Sequence, residues 1–228
     1  MAINFAKKYS NQISKAYTTE DFLAGKTSNK YNFTGVKSLV IYSPKSVPMV
    51  PYKRSGTNRY GIPQEMQDDV QELIIEMDEG FTLTIDKGND AEQMGIKNAG
   101  AMLKLQIAEQ VVPMINRYCF KKFCTLAGTI IASAKPSKTT IADIVNDMSV
   151  KMDDALVPNG GRNLFIPSEF YSLLRTCPEF IGVEKLAVTA LTKGTVGEIL
   201  GFTVIKVPKS FLPDNCFMLG LHKDAAVA

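Results

Sequence analysis

The sequence predicts an α+β protein, with helical and strand segments segregated along the chain rather than strictly alternating. Three observations carry that prediction. Residues 91 to 126 hold the longest uninterrupted helical pattern, with apolar residues recurring every three or four positions. Two stretches, 36–43 and 81–85, have strand chemistry, and the second alternates apolar and polar residues with period two. From residue 139 onward a helix, a strand, a helix and further strands follow in order, which describes a compact α+β half.

The long run carries two apolar stripes. Ile96, Ala99, Leu103, Ile107, Val111, Met114 and Tyr118 form one, and Leu105, Ala108, Val112, Ile115, Cys119, Phe123 and Leu126 form the other. Lys97, Gln106, Glu109, Gln110, Asn116, Arg117 and Lys121 occupy the remaining arc. A helix apolar over so wide an arc is expected to pack on two sides. At ~1.5 Å per residue it runs roughly 50 Å, a spine from which the rest hangs. Pro113 lacks an N–H and presses on the preceding turn, so it is expected to kink the run or delay its regular start.

Residues 3–17 show one short amphipathic helical pattern (Phe5, Tyr9, Ile13, Ala16, Tyr17), and the polar stretch 18–34 reads as an extended arm. Val36–Ser43 is a strand rich in β-branched and aromatic residues. Six prolines and glycines among basic residues make 44–63 a long exposed loop. Glu72–Met77 returns as a strand, Phe81, Leu83 and Ile85 form the alternating one, and Gly88 turns into the spine. Residues 36–86 are thus a β-excursion whose tip is too poor in apolar residues to order itself alone. After a linker at 128–138, Thr140 and Asp143 fit a helix start with a capping pair, and the helix runs to Pro158. Asn163–Ile166 is a short strand, and Ser168 is the expected N-cap of a helix through Arg175. Gly197–Val207 is a hairpin turning at Gly201, and Cys216–Leu221 is the last strand.

With 228 residues, 45% hydrophobic and 21% charged, the chain is long enough and apolar enough to bury a core. No run approaches eighteen apolar residues, and residues 1–10 carry no secretory signal. Cys119, Cys124, Cys177 and Cys216 include no CxxC pair and read as reduced, mostly buried thiols of an intracellular protein; Cys119 and Cys124 fall on different helix faces. The single histidine, His222, leaves little for metal binding or base catalysis.

Charge is unevenly placed. Residues 1–60 carry ten Lys or Arg against two acids, net +8, and residues 61–100 carry ten acids against two Lys, net −8. Adjacent blocks of opposite sign suggest mutual contact, within one chain or between copies; the alternative is two solvated faces. The residues expected at an inter-subunit contact are Lys45, Lys53, Arg54 and Arg59 on the basic side and Glu65, Asp68, Asp69 and Glu72 on the acidic side. Without a base-stacking aromatic platform the cations give no nucleic-acid sequence readout.

Catalytic signatures are lacking: there is no Gly-x-Ser-x-Gly, no HExxH and no metal-spaced Cys/His set, so the expectation is no catalytic residue, no cofactor and no metal. Gly160-Gly161-Arg162 reads as a helix-to-strand turn before an anion cradle. Asp153-Asp154 and Asp68-Asp69 read as solvated acids, and Asp86, Asn89 and Asp90 as a turn before a cation site.

Several stretches together resemble one branch of the major capsid proteins of tailed double-stranded-DNA bacteriophages, a fold shared with encapsulin shells and the herpesvirus capsid floor. They are Phe33-Thr34-Gly35-Val36-Lys37, Phe81 through Asn89, Val111-Val112-Pro113, Gly194 through Phe202 with Val207-Pro208, and His222-Lys223-Asp224-Ala225. The resemblance spans nearly the whole chain and lies in the order and spacing of the motifs. It implies an N-terminal arm (1–34), an extended β-hairpin loop lying across the next subunit (35–90), a spine helix and peripheral domain (91–138), and an axial domain with return strand (139–228). It also implies a further strand past Ala228, where this chain stops; the expectation is a shortened C-terminus and an exposed peripheral sheet edge. The function implied is not enzymatic: self-assembly through hexamers and pentamers into an icosahedral shell enclosing double-stranded DNA, contacted non-specifically. A separate scaffold protein is a possible partner, no membrane is involved, and the chain passes from the bacterial host cytoplasm into the virion. Lys45 and Lys53 lie in the loop where some members crosslink a lysine to a neighbour's asparagine. Two alternatives stand beside this one: an encapsulin-like nanocompartment, and an α+β enzyme with residues 44–70 as a lid.

Overall fold

The computed structural model describes residues 21–28, 30, 38–74, 76–84, 99–177 and 195–227. The amphipathic run at 3–17, the turn at 86–90 and the first turns of the spine at 91–98 lie outside these. The chain divides into two compact units, residues 31–82 and residues 1–30 with 83–228.

The smaller unit is a hairpin. Strand β1 (Ser38–Pro44) pairs antiparallel with β2 (Asp68–Ile74), in a register that sets Ser38 opposite Ile74 and Pro44 opposite Asp68. The second strand therefore begins four residues earlier than Glu72, because pairing with β1 rather than local apolar content decides its extent. The alternating stretch at Phe81 is not a strand over its described residues 81–84, and Phe81 and Leu83 are exposed. Alternation marks a surface that suits a sheet, but among the described residues no strand supplies the partner. None of the residues between 38 and 84 whose side chains are described is buried.

In the larger unit the spine is continuous helix from α1 (Ala99–Gln106) through a π-helical segment (Ile107–Val111) to α2 (Val112–Thr125). The Val112 amide donates to the Ile107 carbonyl, five residues back. This is how the chain accommodates Pro113: the wider turn moves aside the carbonyl that the proline ring would press on. Across its described length the rod spans about 40 Å at ~1.5 Å per residue.

Beyond the spine come α3 (Ile141–Asp154), β3 (Arg162–Pro167), α4 (Ser168–Arg175), β4 (Thr195–Ile199), β5 (Phe202–Val207) and β6 (Leu219–His222). The four strands form one sheet in the order β4-β5-β3-β6, with β3 parallel to β5 and the other pairs antiparallel. Every residue of β3 is buried, as a strand covered on both faces requires. Side chains leave it alternately. Leu164 and Ile166 join Phe202 and Val204 of β5 against Ile141, Ala142 and Val145 of α3 and Phe170 and Leu174 of α4. Phe165 joins Ile205 and Val207 on the other face, against Phe120 of α2, Phe211, Leu212 and Leu23. The result is three layers, α3 and α4, the sheet, and α2. Each fully buried Leu, Val or Phe contributes about 1.5–3 kcal/mol. Gly220 lets β6 approach α3 closely, since a Cβ there would collide with Met148.

Local geometry corrects four expectations. Thr140 precedes α3 without capping it; its hydroxyl oxygen instead accepts the Ser137 amide at 3.0 Å. Ser168 is the first helical residue of α4, and the cap position is Pro167, whose extended backbone leads in from β3. The supposed arm is not extended at 21–28: Asp21 accepts the Leu23 amide at 3.0 Å, and Leu23 is buried in the core. The described residues do not cover the rod on both sides. Leu103, Ile107, Met114 and Ile115 are exposed while Phe120 is fully buried, as is Asn116 from the arc expected to be polar. The β4–β5 hairpin, by contrast, turns at Leu200 and Gly201, both with positive φ (49° and 80°), as a two-residue primed turn demands.

Candidate assembly interface

The eight charged residues expected at a subunit contact all lie on the hairpin, and all are exposed. Asp68, Asp69 and Glu72 are on β2, Lys45 directly follows β1, Glu65 precedes β2, and Lys53, Arg54 and Arg59 sit in the connecting loop. Lys45 is tied into the hairpin: its amide donates to the Gln67 carbonyl at 2.8 Å, and its ammonium lies 3.2 Å from Asp69 Oδ1. The opposite charges at the stem thus meet partly within one chain. An exposed pair of this kind contributes about 0–1 kcal/mol, so it sets local geometry more than stability.

The loop is closed on itself. The Lys53 amide donates to the Arg59 carbonyl at 3.0 Å, and the Gly61 amide to the Asn58 carbonyl at 3.0 Å. Asn58 takes φ 60° to make the turn, and Gly61, at φ 85°, leaves room for Val50, which a Cβ would meet. This closure brings the Tyr52 and Tyr60 rings together, centroids 5.2 Å apart and tilted 46°. The tip therefore does carry an aromatic pair beside Lys53, Arg54 and Arg59. The available signal was two tyrosines flanking a Gly-containing basic turn.

Among the described residues no ion pair joins Lys53, Arg54 or Arg59 to an acid. The hairpin is a charge dipole, three cations at its tip and four acids at 65–72 along its stem. Its apolar side chains are also bare: Met49 is 100% exposed, Tyr60 83% and Ile62 76%.

The other motifs are structural. Gly160 and Gly161 make a turn whose carbonyls are taken by His222 Nε2 at 2.9 Å and the Lys223 amide at 2.9 Å. Asp153 is not simply solvated, since it pairs with Arg162 at 2.7 Å. Lys26 is tied to β3 by Asn163 Nδ2–H to its carbonyl oxygen at 3.3 Å, and Ser28 and Lys30 to the C-terminal segment by Ser28 N–H to Ala226 O at 2.8 Å and Lys30 to Asp224 at 3.0 Å. Lys30 holds the Asp224 carboxyl below the usual carboxylate range. Among the described residues no cluster of three metal-ligating side chains occurs, and no helix is long and apolar enough to cross a membrane.

No protein-family model and no curated protein matches the chain. Solved structures do. A chain from Mycobacterium phage Che8 matches at 16% identity and TM-score 0.66, covering 99% of this chain and 83% of its own. A chain of the capsid structure of cyanophage P-SCSP1u matches at 14% identity and TM-score 0.71, covering 97% and 78%. One from the mature capsid of bacteriophage PhiM1 matches at 12% identity and TM-score 0.62, again covering 97% and 78%. The chain shares the α+β fold of these phage chains.

Proposed function

We propose that this chain is a phage major capsid protein, a structural protein without enzymatic activity whose work is self-association into a closed icosahedral shell. One observation carries the reading beyond fold likeness: no residue from 38 to 84 whose side chain is described is buried. An isolated two-stranded hairpin is marginal in water, and this one exposes Val40, Tyr42, Val70 and Ile74 from its strands. Such a segment gains its order from a partner, and a second copy of the chain is the partner a shell provides. The exposed flank of the spine, with Leu103, Ile107 and Met114, is a second surface that neighbouring copies would cover.

In this reading residues 1–34 are the arm, 35–90 the extended loop laid on the next subunit, 91–138 the peripheral region and 139–228 the axial region, meeting its copies around five-fold and six-fold axes. The tip cations Lys53, Arg54 and Arg59 and the stem acids Glu65, Asp68 and Glu72 give head-to-tail complementarity between successive hairpins. Assembly begins in the host cytoplasm, with a separate scaffold protein, and ends in a virion whose packaged double-stranded DNA is contacted through its backbone alone. Negative-stain microscopy of the purified chain tests the reading. Rings or shells support it, and a uniform monomer at every concentration and salt contradicts it.

A further inference from the structure

Cys124 and Cys216 are separated by 91 intervening residues, yet their sulfurs lie 3.2 Å apart. Cys124 is in the last turn of α2, and Cys216 sits in the bend before β6. That bend is held by the Cys216 amide, which donates to the Pro213 carbonyl at 2.9 Å, and by the Cys216 thiol, 3.5 Å from the Met218 carbonyl oxygen. Both side chains are half-buried, so a small reagent can reach them, whereas Cys177 is fully buried. Cys124 and Cys216 are both free thiols. With no third metal-ligating side chain clustered there among the described residues, the pair has no ligand set for a metal held by three or more groups.

We propose that Cys124 and Cys216 are a covalent modification site: a preformed thiol pair that closes to a disulfide, fastening the end of the spine helix to the sheet, when a low-molecular-weight disulfide reaches it. The proposal is independent of the capsid reading. The two thiols are unequal. The Cys124 S–H donates to the Cys216 sulfur, which lowers the Cys216 pKa, while that bond and burial raise that of Cys124. Cys216 is therefore the attacking thiolate. It displaces one thiol from the small disulfide and becomes a mixed disulfide. Cys124, giving up its proton to water, then attacks the Cys216 sulfur and displaces the second thiol. One small disulfide is reduced to two thiols, and two protein thiols become one disulfide. Because the bond closes a long loop, it constrains the unfolded chain strongly.

The test uses the full-length chain incubated with oxidised glutathione, alkylated, and digested with trypsin without reduction. Cleavage after Arg117, Lys121 and Lys122 separates Cys119 from Cys124, so the partners are assigned unambiguously. The expected result is a Cys124–Cys216 linked peptide and a melting temperature raised by about 5–10 °C, reversed by reductant. In Cys124→Ser, glutathione should remain attached to Cys216. Alkylation of both cysteines at full occupancy, or linkage of either to Cys119 instead, overturns the proposal.

Discussion

The guanidinium of Arg162, only 1% exposed, lies 2.7 Å from Asp153, whose own side chain is 57% exposed. The same guanidinium donates to the carbonyls of Val157 and Pro158, just past the end of α3. A buried charge at the first position of the central strand is thus satisfied by a carboxylate on one side and backbone oxygens on the other. This fastens the α3-to-β3 connection. Arg162→Ala should cost about 3 kcal/mol, because it strands those acceptors, and Asp153→Asn about 1 kcal/mol, because the two carbonyls remain. Urea denaturation of both variants checks the order, and equal losses would show that the ion pair alone matters.

Asn116 presents the opposite case. It is fully buried on α2, and neither amide atom has a hydrogen-bond partner among the described residues. Burying an unpaired amide is costly. Asn116→Leu, which keeps the branched four-atom side-chain skeleton, should be neutral or stabilise by about 1 kcal/mol in thermal unfolding. A loss of more than that would reveal a partner for the amide.

The Lys30–Asp224 contact should be sensitive to acid. Lys30, 3.0 Å away, holds the Asp224 carboxyl below its ordinary value of 3.8. A depressed folded value means the contact is intact above the ordinary carboxylate range and is lost as pH falls through the folded value. An NMR titration of Asp224 should show a midpoint that rises when Lys30 is replaced by Gln. An unmoved midpoint would remove Lys30 as the cause.

Reversing the hairpin tip, Lys53→Glu with Arg54→Glu and Arg59→Glu, should leave single-chain stability within about 0.5 kcal/mol, since all three side chains are exposed. The same change should raise the concentration needed for assembly about tenfold or more by light scattering, and added salt should weaken wild-type assembly. Assembly indifferent to both would leave the charge dipole without a role.

Much of this was legible in the chain. The spine, the loop at 44–63 and the order of elements after 139 followed from spacing and from proline and glycine, because those signals are local. What was not legible depended on partners distant in sequence. The span of β2 was set by β1, the burial of Leu23 by the sheet and its flanking segments, and the pairing of Cys124 with Cys216 by a chain reversal that brings the end of α2 beside the bend before β6. The apolar arc of the spine pointed to two covered sides. The described residues cover one, and the proposed neighbours account for the other. Of the charged contact residues, Lys45 and Asp69 find each other locally, whereas the tip cations meet no acid among the described residues, a distinction that charge blocks alone do not draw.

The most direct measurement of whether one copy receives another's hairpin is crosslinking between light and heavy-nitrogen-labelled chains, mixed before assembly and joined by a lysine-to-carboxylate coupling reagent. Head-to-tail hairpin contact predicts mixed-isotope crosslinks from Lys53 to Glu65, Asp68 or Glu72 in assembled material. Hairpin crosslinks confined to single copies, in particles that nonetheless form, would contradict it.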